Sequence, residues 1–551
     1  MSLEAFSVEE TPARRGRGIA GFPGRLCFVA SFGTLLLTLV AFKSCGGLMG
    51  VGTTRAMSTS GNSKGPTKSK LAAAPDFGKG ILAPLLGDGT AVDWWFAFKP
   101  TTAAFPHCST NVTCMFGGDP MKDRLKPQYG LQYILASKGV DGTTKKMKLH
   151  SDCLGNGEDP LAKTFQQIYS GNAPNYVVWN DQFYDDPVPK IDPPCIKYCA
   201  KPWGHSKGIM AWDDDGSGFV MQVTTPDWPG SGSMEYPRKK QGNTLGCCKD
   251  DNVMVAQHFF ALRLHSVNDT MTVLQALQRS SVVTDPKNPQ LVKLSSGPSE
   301  LKQVASQLGR QVLDNLEPFQ GQLTVRTGPK VHLIAKPSGL HVPPWHLISA
   351  ILETPLRTAT WWTAPAINST HDGYKPGCWH ESLKPTTPEV QVGLSGQWHN
   401  TTFSLLGRPD TDGNHAKLGH SLKGPKLAVM SDMNQQGALD MENSKGTCDL
   451  SQNARGGLFF VLEDAVLHAG LVELLTGETA DYVSNEKPSS TSTSLAPTGC
   501  GGAGVYWTSC RQKGCRYVKK ADAARCRVKK YGCYEIAQLP AACQSANELD
   551  A

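Results

Sequence analysis

Residues 204–223 read GHSKGIMAWDDDGSGFVMQV. Apolar residues cluster at Ile209–Trp212 and again at Phe219–Val223, and the DDDGSG between them has turn composition, so the stretch predicts a strand, a tight turn and a returning strand. Two such strands need a buried sheet, and matching segments lie on both sides. In AVDWWFAFK (91–99), apolar side chains occupy alternate positions on both faces, which predicts a central strand. Further strands are expected at 174–180, 253–264, 331–335 and 457–462. A helix is expected after Pro343 and Pro344, where Trp345, Ile348, Ile351 and Leu352 recur every three to four residues. Strands mixed with helices give an α/β (mixed α+β) class.

Composition supports a folded chain with many turns. Of 551 residues, 40% are apolar and 19% charged, with 56 Gly and 37 Pro, which disfavours both disorder and a helical bundle. The net charge is +7. Nine basic residues against Asp522 and Glu535 between Cys500 and Cys543 account for all of it, so the main body is close to neutral. Electrostatics alone therefore do not make the body a nucleic-acid binder, whereas the basic tail suits DNA or an anionic matrix, or is simply a solvated basic face.

The chain also carries secretory signals. Residues 26–42, LCFVASFGTLLLTLVAF, are uncharged and apolar behind Arg14, Arg15, Arg17 and Arg25, which predicts a signal anchor or signal peptide with residues 1–25 in the cytosol. If uncleaved, this segment is the membrane partner. Asn111, Asn268, Asn368 and Asn400 begin N-x-T triplets and are candidate glycosylation sites, all on the lumenal side of that segment. Of 17 cysteines, nine lie in the body and six in the tail. No paired CxxC pattern accompanies the CxxxC at Cys195 and Cys199, so disulfides are expected rather than a metal. Residues 43–90 read as a flexible stalk, 487–499 as a Ser/Thr/Pro linker and 500–551 as a basic cysteine-rich module.

Among fourteen histidines, two head an HxK triplet: His205 with Lys207, and His415 with Lys417. About one such triplet is expected by chance, and a lone copy is read as a surface histidine near a lysine. On a strand, residues i and i+2 face the same way, so His205 and Lys207 point together. An imidazole beside an ammonium suits a phosphodiester: the lysine neutralises a non-bridging oxygen while the imidazole attacks phosphorus or moves a proton. Cleavage through a covalent intermediate needs one neutral and one protonated imidazole, and two copies supply both. That division works best around or below the ordinary imidazole pKa of about 6.5. No HExxH, Walker A, nucleophile elbow or paired-carboxylate motif competes, so no cofactor is expected.

From Ala91 to about Leu462 the chain resembles the deoxyribonuclease II family. The pieces that carry the resemblance occur in order: VDWWFAFK (92–99), YGLQYILAS (129–137), YVVWNDQ (176–182), GHSKG with the following Asp and Gly, VTTPDWPGS (223–231), HAK, SDMNQQGAL (431–439) and ARGGLFF (454–460). The resemblance implies a phospholipase D-like pseudodimer, with halves at 91–315 and 316–486 that each contribute one HxK. It implies an acid-active, metal-independent endonuclease that leaves 3′-phosphate ends through a phosphohistidine, with His205 favoured as nucleophile. DNA is then the substrate, and no obligate protein partner is evident. Asp432 and Asn434 are candidates to orient a histidine or complete the phosphate pocket, or they make turn contacts; Asp213 is a weaker candidate that starts the DDDG turn.

The second motif departs from the family pattern. Asn414, Ala416, Leu418 and Gly419 stand where an acidic residue, Ser, Trp and Cys are expected. The His and Lys persist, but local polar support is reduced. This keeps open a weakened or inactive DNA- or glycan-binding surface protein, or a phosphodiesterase for RNA or phospholipid. An acidic, lysosome-like or extracellular setting is expected for the active form.

Overall fold

The computed structural model describes residues 82–105, 108, 116, 132–184, 186–195, 197–238, 245, 254–444 and 446–483, with the backbone of three short strands in the tail. The expected anchor and linker, residues 43–81 of the expected stalk, and Asn111 lie outside the described residues, whereas residues 82–90, also expected as stalk, pack on the body: Leu82 and Ala83 are buried and the Leu85 amide donates to the Thr164 hydroxyl at 2.9 Å.

Two sheets organise the body. The first contains β1 (Val92–Lys99), β2 (Tyr133–Gly139), β3 (Thr144–His150), β4 (Asn175–Asn180), β5 (Lys207–Trp212), β6 (Gly218–Val223), β7 (Gln257–Leu264) and β8 (Val292–Leu294). Their order is β3-β2-β1-β7-β6-β5-β4-β8. The second contains β9 (Phe319–Leu323), β10 (Val331–Lys336), β11 (Leu356–Ala359) and β12 (Val390–Val392). After a separate hairpin of β13 (Ser395–Trp398) and β14 (Thr401–Ser404), it is completed by β15 (Leu418–Ser421), β16 (Leu427–Ser431) and β17 (Gly457–Glu463). Its order is β12-β11-β15-β16-β17-β10-β9. In the tail, β18 (Gly502–Ala503), β19 (Cys515–Val518) and β20 (Gly532–Glu535) pair in the order β18-β20-β19.

The run β1-β7-β6-β5-β4 in the first sheet has the same order as β10-β17-β16-β15-β11 in the second. Helices follow the same scheme. α1 (Pro160–Tyr169) precedes β4 and α4 (Pro344–Leu352) precedes β11; α2 (Val267–Arg279) follows β7 and α5 (Ala465–Leu474) follows β17, while α3 (Ser299–Ala305) packs on α2. The strands expected at both ends of DDDGSG, at 91–99, 174–180, 331–335 and 457–462, and the helix after Pro344 all form.

Local chemistry explains the helix starts. Ser266 accepts from the Asp269 amide at 3.2 Å while the Asp269 carboxylate accepts from the His265 amide at 2.9 Å, which satisfies donors at the start of α2. At α5, Asp464 accepts from the Val466 and Leu467 amides, both at 3.0 Å. The same carboxylate accepts from the Thr144 hydroxyl at 2.6 Å and lies 3.8 Å from the Lys138 ammonium, tying α5 to the first sheet. Conversely, α2 packs against β9, β10 and β17 of the second sheet. The helix that follows β7 thus packs on the second sheet and the helix that follows β17 on the first, and the apolar interiors of the halves merge, with the Phe260 and Phe460 rings 5.5 Å apart between β7 and β17.

Disulfides join Cys108 to Cys153, Cys195 to Cys199 and Cys378 to Cys448. Asn268 is exposed in the first turn of α2 and Asn400 in the β13–β14 turn, whereas Asn368 is half-buried. Among the described residues no helix is long and apolar enough to cross a membrane.

Candidate active site

The two HxK segments enter the same end of equivalent strands. Lys207 begins β5, and Lys417 immediately precedes β15. Each segment then crosses to the other half: the His205 amide donates to the Gly456 carbonyl at 2.8 Å, just before β17, and the His415 amide donates to the Ala256 carbonyl at 2.7 Å, just before β7. This reciprocal pair brings together four residues separated by 210 positions of sequence. The charges of Lys417, Lys207 and His205 all act on His415, and those of Lys207, Arg455 and Lys417 on His205.

Burial is nearly complete. His205 and His415 retain 4% and 9% of their surface and Lys207 and Lys417 retain 2% and 1%, so exposed area is confined mainly to the imidazoles. Desolvation, followed by the neighbouring ammonium groups, holds both imidazoles well below 6.5. Burial, then the Lys207 charge, pulls Lys417 well below the ordinary lysine range.

Around His205 the support is polar. Its Nδ1 faces the Asp432 carbonyl at 2.6 Å. A carbonyl only accepts, so Nδ1 carries hydrogen and the neutral ring presents an Nε2 lone pair. Ser206 donates from Oγ to Asp432 Oδ2 at 2.7 Å and accepts from Trp179 Nε1 at 2.8 Å. Burial pushes the Asp432 carboxyl up to about 7, against the opposing pull of Ser206 and Lys207. Lys207 is paired with Asp181. The second oxygen of Asp181 accepts from Arg455 Nη2 at 2.8 Å, and Arg455 also donates to the carbonyls of Cys199, Trp203 and Gly204. Arg455 therefore holds the loop that delivers the first motif.

Around His415 the equivalent positions are different. Strand register matches Asp181 with Trp361, Arg455 with Val255, Trp179 with Ala359 and Asp432 with Thr224. Trp361 packs its ring edge-on to His415, 5.2 Å between centroids, where the first half has a carboxylate. Lys417 Nζ donates to the His415 carbonyl at 2.5 Å and lies 3.0 Å from His415 Nδ1. Leu418, compared with Gly208 at the equivalent position, is a volume exchange. A side chain at Gly208 would meet Trp179 at 2.4 Å, so the first half pairs Trp with Gly while the second pairs Ala359 with Leu418. Asn414 closes its loop by donating to the Thr360 and Ala416 carbonyls at 2.9 and 3.2 Å.

The other expected residues divide. Asp432 joins the four motif residues. Asn434 bonds to Gln436 at 2.9 Å through its amide and to Gln452 through its main chain, the turn contacts anticipated for it. Asp213 lies in the β5–β6 turn, at the opposite end of β5 from Lys207 and about 20 Å along the strand. There its main chain pairs with Ser217, and burial and Asp215 push its carboxyl up to about 7. Asp181, Arg455 and Trp361 were not singled out from sequence, although Asp181 and Arg455 lie within the quoted YVVWNDQ and ARGGLFF. Among the described residues no group of three or more His, Cys, Asp or Glu is placed to hold a metal ion.

The family model for deoxyribonuclease II matches residues 85–467. The chain belongs to the deoxyribonuclease II family. No curated protein matches it in a sequence comparison. Membership of this nuclease family supports DNA as the protein's substrate class, and the matched span contains both HxK motifs, both sheets and Asp432.

Proposed function

We propose that this deoxyribonuclease II family member is an acid endodeoxyribonuclease that hydrolyses DNA without metal through a phosphohistidine, on a phospholipase D-like pseudodimeric scaffold. The observation that supports the reading is the reciprocal pair of amide bonds, His205 to Gly456 and His415 to Ala256, by which the HxK segment of each half is tied to the other half. The matching strand orders support the pseudodimer.

The tautomer at His205 suits it to attack phosphorus through Nε2. The 5′-oxygen leaves with a proton from His415, forming a phosphohistidine on the 3′ side. Water, deprotonated by His415, then cleaves the phosphorus–nitrogen bond and leaves a 3′-phosphate. Lys207 and Lys417 flank the non-bridging oxygens and stabilise the added negative charge. Because burial and neighbouring cations hold both imidazoles well below 6.5, protonating the acid requires low pH, which favours an acidic optimum. The apolar run at 26–42 and the N-x-T triplets support an acidic lumenal or extracellular setting, with DNA from outside the cell as substrate.

The test is nicking of supercoiled plasmid by the full chain, made through a secretory host, at pH 5 and 7.5 with EDTA. Cleavage at pH 5 that falls on the order of a thousandfold in both His205→Ala and His415→Ala is expected. A folded parent that leaves plasmid intact but retains DNA on a filter would instead make it a binding protein.

A further inference from the structure

The second half-site lacks the carboxylate and serine that brace the first, yet its residues are equally buried. Its bracing comes from three consecutive residues of the other half. Ala256 accepts the His415 amide, Gln257 Oε1 lies 3.2 Å from His415 Nδ1, and His258 Nδ1 accepts the Lys417 amide at 3.2 Å. Gln257 and His258 are 1% and 0% exposed. Neither has a counterpart in the first half-site, where strand register puts Gly457 and Leu458 at the equivalent positions. These two side chains are therefore additions, present only beside the motif whose local pattern is depleted.

Their own partners give the additions a fixed direction. Thr224 donates from Oγ1 to Gln257 Oε1 at 2.7 Å, keeping the amide oxygen on the His415 side. An imidazole nitrogen that accepts the Lys417 amide leaves its other nitrogen as donor, and His258 Nε2 faces Gln222 Oε1 at 3.5 Å. The order Lys417 amide, His258, Gln222 thus runs from the second half-site across to β6. Phe96 stacks against His258 with centroids 6.2 Å apart, fixing the ring plane.

We propose that Gln257 and His258 are positioning residues for the second half-site, placing the His415 ring and the Lys417 ammonium from the opposite half. The inference rests on the HxK motifs forming one phosphate-binding site, as in the function proposed above.

The experiment compares His258→Leu, which installs the residue found at the equivalent position, with His258→Asn, whose amide oxygen can still accept. Gln257→Met and Gln257→Glu form the second pair. The measured quantities are affinity for inorganic phosphate at pH 5 by calorimetry, plasmid nicking, and the melting temperature of the full chain. His258→Leu is expected to weaken phosphate binding roughly tenfold, and His258→Asn to restore most of that loss. Gln257→Met should lower the nicking rate more than it raises KM, and Gln257→Glu should recover part of the rate. Unchanged phosphate affinity in His258→Leu overturns the proposal, as does equal weakening in the Leu and Asn variants that follows the melting temperature. Phosphate affinity reads the placement of Lys417 even if the parent cuts no DNA, so failure of the nuclease reading and failure of this one remain separate results.

Discussion

The two half-sites share strand order, motif and burial, but differ in how their charges are compensated. In the first, Lys207, Asp181 and Arg455 form a buried chain of alternating charge, and Ser206 links Trp179 to Asp432. In the second, Trp361, Val255, Ala359 and Ala416 occupy the equivalent positions, and Lys417 is satisfied by the carbonyl of its own motif. A repeated strand order therefore does not require repeated electrostatics. What both halves keep is the pair of groups that can meet phosphorus and its oxygens; what diverges is how each half holds that pair. Under the proposed function, the lysine with no carboxylate partner in hydrogen-bond contact, Lys417, would be the one whose charge an incoming phosphate balances.

The largest break of this comparison, apart from loss of His205 or His415, should come from its ionic chain. Arg455→Met leaves Asp181 sharing one cation and frees three loop carbonyls, and is expected to destabilise the protein by about 3–5 kcal/mol in urea unfolding. Val255→Ala, at the equivalent position, removes only buried carbon and should cost about 2 kcal/mol. Similar losses at both positions would mean that Arg455 contributes through packing alone. Lys336 strengthens the distinction: its buried ammonium sits among the carbonyls of Pro337, Leu340, Asn453 and Arg455, fixing the segment that carries Arg455 and Gly456. At the equivalent Lys99 the ammonium bonds the Pro100 carbonyl.

Ser206→Ala sharpens the comparison next. It converts the first motif to the HAK of the second, leaving the Trp179 indole N–H and one Asp432 acceptor position without the hydroxyl, and should cost about 2 kcal/mol. The reverse change, Ala416→Ser, places a hydroxyl opposite Ala359 and Thr224, where no such relay awaits it, and should gain nothing. A stabilising Ala416→Ser would show that the second half-site retains a latent version of the first.

Much of this architecture was legible from sequence because the central strands are apolar throughout. VDWWFAFK, KGIMAW and GLFFVLE form β1, β5 and β17, and each HxK segment is tied to the opposite half by its histidine amide. Other elements escaped for physical reasons. β3, TKKMKLH, lies at a sheet edge, where lysines are tolerated and apolar alternation is not required. β15 has only four residues, LGHS, with a glycine packed against Trp345. α2 carried a readable start, Ser266 with Asp269 three residues on, and an amphipathic face, but was not singled out. Asp181, Arg455, Gln257 and His258 could not be assigned to either motif by spacing, because each acts across a sheet or between halves. Even Trp361, two residues after β11, reads as ordinary core until its ring is found against His415.

Asp432 gives the comparison a pH dependence. Its carboxyl is pushed up to about 7 by burial, so the folded chain retains a proton that the unfolded chain releases near pH 4. From this group, stability is lost as pH rises between about 4 and 7. The depressed imidazoles of His205 and His415 act in the opposite sense, costing stability as pH falls through about 6.5, where the unfolded chain takes up protons first. Asp432→Asn removes the first effect and leaves the second. Relative to the parent, the variant should therefore gain stability as pH rises from 4 to 7, measured by urea midpoints at fixed ionic strength. A constant difference between the two curves would mean that Asp432 does not titrate in that window.

The smallest effect is expected at Asp213, which separates an acid of the turn from the acid of the site. Its carboxyl is also pushed up to about 7, by burial and then by Asp215, so a raised pKa alone does not distinguish it from Asp432. Position does: Asp213 stands at the far end of β5 and accepts from the Ser217 hydroxyl at 3.3 Å, an interaction an amide oxygen can preserve. Asp213→Asn should leave plasmid nicking within about twofold of the parent and change stability by less than about 1 kcal/mol. The sign is set by linkage. The parent's folded state loses stability from Asp213 as pH rises through about 4 to 7, so the variant should compare best with the parent above pH 7. A large loss of nicking with an unchanged urea midpoint would break the comparison, because it would carry influence on the chemistry along the whole length of β5, to a residue that the first half-site does not touch.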